Sequence, residues 1–97
     1  MKVRFTPRAR QRARGVAAWW RENRPDVADL FDEELESATG RLTASGGAVY
    51  ETIHGNAIRR LLLPKTAQHI YYSIDDASDT VVVHTIWGAR RGQGPKL

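Results

Sequence analysis

Gln68-His69-Ile70-Tyr71-Tyr72-Ser73-Ile74-Asp75 is the stretch on which the fold turns. Side chains of an extended strand alternate between its faces, so Ile70, Tyr72 and Ile74 share one side while His69, Tyr71 and Ser73 share the other. The first set is the natural core face, where each fully buried aliphatic residue contributes about 1.5 to 3 kcal/mol. The second set leaves a half-polar groove. On either side the chain again reads as strand: Ala57 to Leu63, separated by Pro64-Lys65-Thr66, and Thr80 to Gly88, separated by the loop Asp75-Asp76-Ala77-Ser78-Asp79. Three strands joined in this way form an antiparallel meander.

Working back toward the amino terminus, Lys2 to Thr6 alternates charged and apolar residues as a half-buried strand does. Thr6-Pro7 is a helix start, with Thr6 as N-cap and Pro7 at the first helical position. Ala9, Ala13, Val16, Ala17 and Trp20 then recur as one apolar stripe, and Arg8, Arg10, Arg12 and Arg14 cover the other faces. Gly15 weakens that helix by about 1 kcal/mol, which suggests a close approach by another backbone. Trp19 and Trp20 are adjacent, so one helix cannot bury both against the same core. Asn23-Arg24-Pro25 breaks the helix. A second helix is expected from near Pro25, burying Val27, Leu30, Phe31 and Ala38, with Leu35 as a further candidate. Gly40 is its natural stop, although Leu42 argues for a slightly longer run. After the turn Ser45-Gly46-Gly47, Val49 to Asn56 is ambiguous between loop and a short extended piece. The expected order is β-α-α-β-β-β, an α+β fold with a helical hairpin packed on a small antiparallel sheet, the amino-terminal strand adding at one side as its fourth member.

The composition bounds the chemistry. With 97 residues the chain is expected to form one domain over 1–97, and without cysteine it has no disulfide, no thiolate zinc site and no Cys nucleophile. The longest aliphatic runs are Leu61 to Leu63 and Val81 to Val83, far short of the roughly 18 apolar residues of a membrane span. Met1 to Phe5 carries no apolar signal core, so a cytoplasmic location is expected. Fifteen Lys and Arg face eleven Asp and Glu, and eight of the basic residues fall in the first 24 positions. From Asp26 to Glu36 every charge is negative. Two oppositely charged helices side by side follow, with exposed pairs worth about 0 to 1 kcal/mol each.

His54, His69 and His84 lack metal-ligand spacing, so no metal is expected. The serines have no G-x-S-x-G setting, and no nucleotide-cofactor fingerprint occurs, so no cofactor is expected. The sharper constellation is Arg59, Arg60, His69, Tyr71, Arg90 and Arg91, on or just after the strands. Cleaving RNA requires a base for the 2′-hydroxyl, positive charge on the developing phosphorane, and an acid for the departing oxygen, roles that His and Arg fill. The plainer reading is an Arg-rich surface for an acidic partner.

Ile58-Arg59-Arg60-Leu61-Leu62-Leu63-Pro64, His69-Ile70-Tyr71-Tyr72-Ser73-Ile74-Asp75, Val81-Val82-Val83 and Ile86-Trp87-Gly88-Ala89-Arg90-Arg91-Gly92 resemble the RelE/ParE toxins of type II toxin–antitoxin modules. The resemblance extends over essentially the whole chain, including length and element order. It implies growth arrest by one of two routes, cutting ribosome-bound messenger RNA or poisoning DNA gyrase, and neutralisation by a cognate antitoxin in a hetero-oligomer. On the nuclease side it implies His69, Tyr71, Arg60 and Arg90 as the catalytic set. The aromatic residue that this branch places near the end has no counterpart in Gln93-Gly94-Pro95-Lys96-Leu97. The Gly-Ala-Arg ending and the long hairpin resemble the ParE side, with gyrase as the implied target. Arg59, Trp87, Arg91, Trp19 and Arg12 are then the residues expected to meet target or antitoxin.

Overall fold

The computed structural model describes residues 1–45, 51–53, 58–90 and 94–97. Strand β1 (Lys2–Phe5) leads into helix α1 (Pro7–Asn23), a single 3₁₀ turn (Pro25–Val27) and helix α2 (Leu30–Ser45). Strands β2 (Glu51–Ile53), β3 (Ile58–Leu63), β4 (Gln68–Asp75) and β5 (Thr80–Gly88) follow. Together the strands form one sheet in the order β1-β5-β4-β3-β2. The meander agrees with the expectation, its last two strands residue for residue.

The sheet departs from the expected one in two ways. It gains a fifth member, because β2 pairs antiparallel with β3 through Thr52 and Arg59, so part of the ambiguous Val49 to Asn56 stretch is an edge strand. It is also mixed, because β1 runs parallel to β5, with Val3 opposite Val81 and Phe5 opposite Val83. Thr6 fixes that arrangement: its amide donates to the Val83 carbonyl at 3.0 Å, and its hydroxyl donates to the His84 carbonyl at 3.0 Å. The same hydroxyl accepts from the Ala9 amide at 3.1 Å as the N-cap of α1. One side chain thus ends a strand and starts a helix.

Both helices lie on one face of the sheet. Their buried residues, Ala9, Ala17 and Trp20 from α1 and Phe31, Ala38 and Leu42 from α2, meet Leu61, Leu63, Ile70, Tyr72, Val81, Val83 and Ile86 from the sheet. The expected stripe of α1 is therefore the real one. Trp20 is buried at 9% exposure and Trp19 stands out at 51%, as their adjacency requires. The second helix differs from its expected form. Pro25 opens only the 3₁₀ turn, so Val27 is 37% exposed and outside the core, and α2 runs past Gly40 to enclose Leu42. A Cβ added at Gly15 meets nothing within 4 Å, so no backbone approaches there and the expected reason for that glycine does not hold.

Arg8, Arg10, Arg14 and Arg21 stay exposed, as do Asp29, Asp32, Glu33 and Glu36. Glu34 instead turns inward and holds the β3–β4 turn. Its carboxylate accepts from the Lys65 amide at 2.7 Å, the Thr66 amide at 3.0 Å and the Thr66 hydroxyl at 2.7 Å. The next residue, Ala67, sits at φ 56, a backbone state that a non-glycine residue enters only when its surroundings hold it. Replacing Glu34 by alanine leaves these buried donors without an acceptor, and the expected destabilisation is about 2 to 3 kcal/mol by urea unfolding. A midpoint unchanged from the parent would show that the turn holds itself.

Candidate functional site

With the helices on one face, the other face of the meander is partly accessible: Leu62 is exposed and Arg60, His69, Ser73 and Trp87 are half-buried, while Tyr71, Thr85 and Val82 between them are buried. Cross-strand register sets out its rungs. Leu62, His69 and Trp87 form one, Arg60, Tyr71 and Thr85 the next, and Ser73 and Val82 the third, which Arg4 of β1 extends. The Arg60–Tyr71 and His69 positions expected to work together are therefore neighbours on a single surface. His69 and Tyr71 meet edge to face at 6.0 Å between ring centres. The tail passes against this phenol, because a Cβ added at Gly94 would stand 3.9 Å from the Tyr71 hydroxyl. The Arg8 guanidinium holds the Lys96 carbonyl on the same tail.

The other expected residues are placed differently. Arg59 is the partner of Tyr72 in the β3–β4 ladder and so belongs to the helix side of the sheet, away from Arg60. Arg90 lies two residues past the end of β5 and lines a groove between α1 and the β3–β4 turn. This groove, about 1000 Å³, also takes in Arg8, Arg12, Arg24 and Lys65, with Val16 and Trp19 as its apolar wall, and no Asp or Glu among its described lining residues. Arg12 and Trp87 do come together: the guanidinium lies 4.9 Å over the indole while Nε donates to the Ile86 carbonyl at 3.0 Å. Arg91 and His54 lie outside the described residues.

A second cluster on the open face was not read from the sequence. The ladder between β4 and β5 slips by one residue, since Tyr71 pairs with Thr85 but Tyr72 with Val83. His84 is the extra residue of this bulge. Its Nε2 lies 2.7 Å from the Ser73 hydroxyl oxygen. Alternation from the hairpin end already puts Val82 and His84 on the face of Ser73; what the sequence does not announce is the slip, which brings Thr85 and Trp87 onto the same face. Its only trace in the sequence is His84-Thr85, two polar residues inside an otherwise apolar strand.

Both imidazoles are held below the ordinary histidine value. Burial is the larger cause for each, with the Arg60 charge adding to it at His69 and the Arg4 charge at His84. Both are therefore mainly, not wholly, in the neutral form at pH 7. Folding stability follows from the sign: the unfolded chain binds protons at these residues before the folded one does, so stability is lost as pH falls below about 6.5. The melting temperature is expected to drop between pH 7.5 and pH 5, and to drop less in a His69→Gln, His84→Gln double variant. Equal slopes for the two proteins would remove the histidines from the account.

No protein-family model and no curated protein matches the chain. Solved structures do. The toxin–antitoxin complex RelBE2 of Mycobacterium tuberculosis includes a chain that superposes with a TM-score of 0.63 at 21% identity, covering 90% of this chain and 95% of that one. The isolated RelE toxin of E. coli superposes with a TM-score of 0.64 at 17% identity, covering 95% of this chain and 87% of that one. The chain has the RelE toxin fold. In this RelE-like fold the two helices back the sheet, and the rungs of Arg60, Tyr71, His69 and Ser73 lie on the side away from them. Among the described residues no helix is long and apolar enough to cross a membrane, and no three His, Asp or Glu residues gather as metal ligands.

Proposed function

We propose that the chain is the toxin of a type II toxin–antitoxin pair and that it arrests growth in the cytoplasm by cutting messenger RNA on the ribosome. The supporting observation is the adjacent rungs of Arg60, Tyr71 and His69 on the open face of a fold shared with RelE toxins. Neutral His69 takes the proton from a ribose 2′-hydroxyl. The 2′-oxygen attacks phosphorus, the bond to the 5′-oxygen breaks, and a 2′,3′-cyclic phosphate and a 5′-hydroxyl result. The Arg60 guanidinium opposes the charge that gathers on the phosphorane, where a fixed cation matters most. Tyr71, edge-on to His69, positions the imidazole.

Gyrase poisoning, the route that the carboxyl-terminal Gly-Ala-Arg resembles, is the second reading, and the long hairpin of α1 and α2 supports it. The two separate on induction in growing cells. The nuclease reading expects amino-acid incorporation to stop while plasmid supercoiling is unchanged. Relaxed or linearised plasmid with translation still running would favour gyrase instead.

The RelBE2 neighbour was solved as a complex with its antitoxin, and an antitoxin is the partner proposed for this chain. The groove along α1 calls for a segment bearing carboxylates with at least one apolar side chain, to meet its cations and Trp19. Removing a large exposed aromatic from such a contact costs about 2 kcal/mol or more. Trp19→Ala is accordingly expected to raise the antitoxin dissociation constant by at least about tenfold in calorimetry. An unchanged constant would move the antitoxin elsewhere.

A further inference from the structure

The nuclease reading leaves one proton unassigned. His69 removes a proton from the 2′-oxygen, and the departing 5′-oxygen needs one in return. Arg60 cannot give it, because a guanidinium stays charged under all such conditions. The open face holds one other imidazole among the described residues.

We propose that His84, held by Ser73, is the general acid that protonates the 5′-oxygen leaving group. The inference rests on the RNA-cleavage reading of the same face. Its basis is placement. The bulge sets His84 level with the step from Tyr71 to Tyr72, so about 8 Å of strand rise separates it from His69. The Arg60–Tyr71 rung lies between the two rings. A phosphodiester held by Arg60 on β3 shares the face with both imidazoles, His69 on the adjacent β4 and His84 on β5 beyond it. Ser73 fixes the ring through the 2.7 Å contact at Nε2, which makes Ser73 a positioning residue. The charged and titratable groups sharing the face include Arg4 and Lys2 on β1, Tyr71 and Asp75 on β4 and Arg60 on β3, and the β2–β3 register puts Glu51 opposite Arg60. In the step itself, the minority of His84 that carries a second proton passes it to the 5′-oxygen as the P–O bond breaks, the neutral ring remains, and solvent restores both histidines afterwards.

The test is cleavage of ribosome-bound messenger by the full chain, with either a normal linkage or one in which sulfur replaces the 5′-bridging oxygen at the scissile position. A thiolate leaves without a proton. His84→Gln is expected to lower cleavage of the normal linkage by about 10² to 10⁴-fold and to recover nearly the parent rate on the sulfur linkage. His69→Gln is expected to be slow on both. His84→Asn is the second variant, and melting curves confirm that each protein is folded. Parent-like cleavage of the normal linkage by either folded His84 variant, or an equal deficit on both linkages, overturns the assignment while leaving the nuclease reading standing. Failure of the parent chain to cut either messenger overturns both.

Discussion

Replacing Arg60 by alanine is expected to lower messenger cleavage by about 10² to 10³-fold, the loss typical of removing one preorganised charge from a developing oxyanion. Arg60 sits on β3 directly across from Tyr71, and its charge reaches His69, where it adds to burial in holding the imidazole below its ordinary range. The substitution therefore has two consequences of different kind. The phosphorane loses its counter-charge, and His69 titrates at a higher pH, so the acidic limb of the rate profile moves upward. Arg60→Lys keeps the charge but not the planar fork, and is expected to recover only part of the rate. Antitoxin affinity, proposed to reside in the α1 groove, should stay at the parent value. Parent-like cleavage by folded Arg60→Ala would take the open face out of the mechanism.

The second large effect is on folding. Phe31 is fully buried where α2 meets the sheet, among Trp20, Leu42, Tyr72 and their neighbours. Phe31→Ala removes that burial and leaves a cavity, and the expected destabilisation is about 3 to 5 kcal/mol. For a chain of this size each kcal/mol is about 4 to 8 °C of melting temperature, so the midpoint should fall by at least about 12 °C. Val27→Ala is the comparison. Periodicity puts Val27 on the same face, yet it lies in the 3₁₀ turn at 37% exposure, and its truncation is expected to cost less than about 1 kcal/mol. Equal losses from the two substitutions would mean that α2 begins a turn earlier and packs differently.

What the sequence shows and what it hides separate along physical lines. Local signals are legible: the Thr6-Pro7 start, the apolar stripe of α1, the limits of β4 and β5, and the opposite fates of Trp19 and Trp20 each depend on residues close in the chain. Features that depend on distant partners are not. The parallel pairing of β1 is fixed by Thr6 bonding to Val83 and His84. Glu34 looks like one more acid in a solvated run, and only the amides of Lys65 and Thr66 reveal its role. The site divides likewise. Alternation along β4 puts His69, Tyr71 and Ser73 on one face, and pairing with β3 adds Arg60 but sends Arg59 to the other. Alternation from Val82 adds His84, and the one-residue slip, which no periodicity encodes, then brings Thr85 and Trp87 onto the same face.

Mapping of messenger 5′ ends after brief induction tests the central claim, that the uncovered sheet face is where the chain acts on RNA. The account predicts new 5′-hydroxyl ends inside translated codons with the parent chain, and their loss with Arg60→Ala and with His69→Gln while both proteins still bind antitoxin. Growth arrest with an unchanged set of ends, or the same new ends from all three proteins, would contradict it.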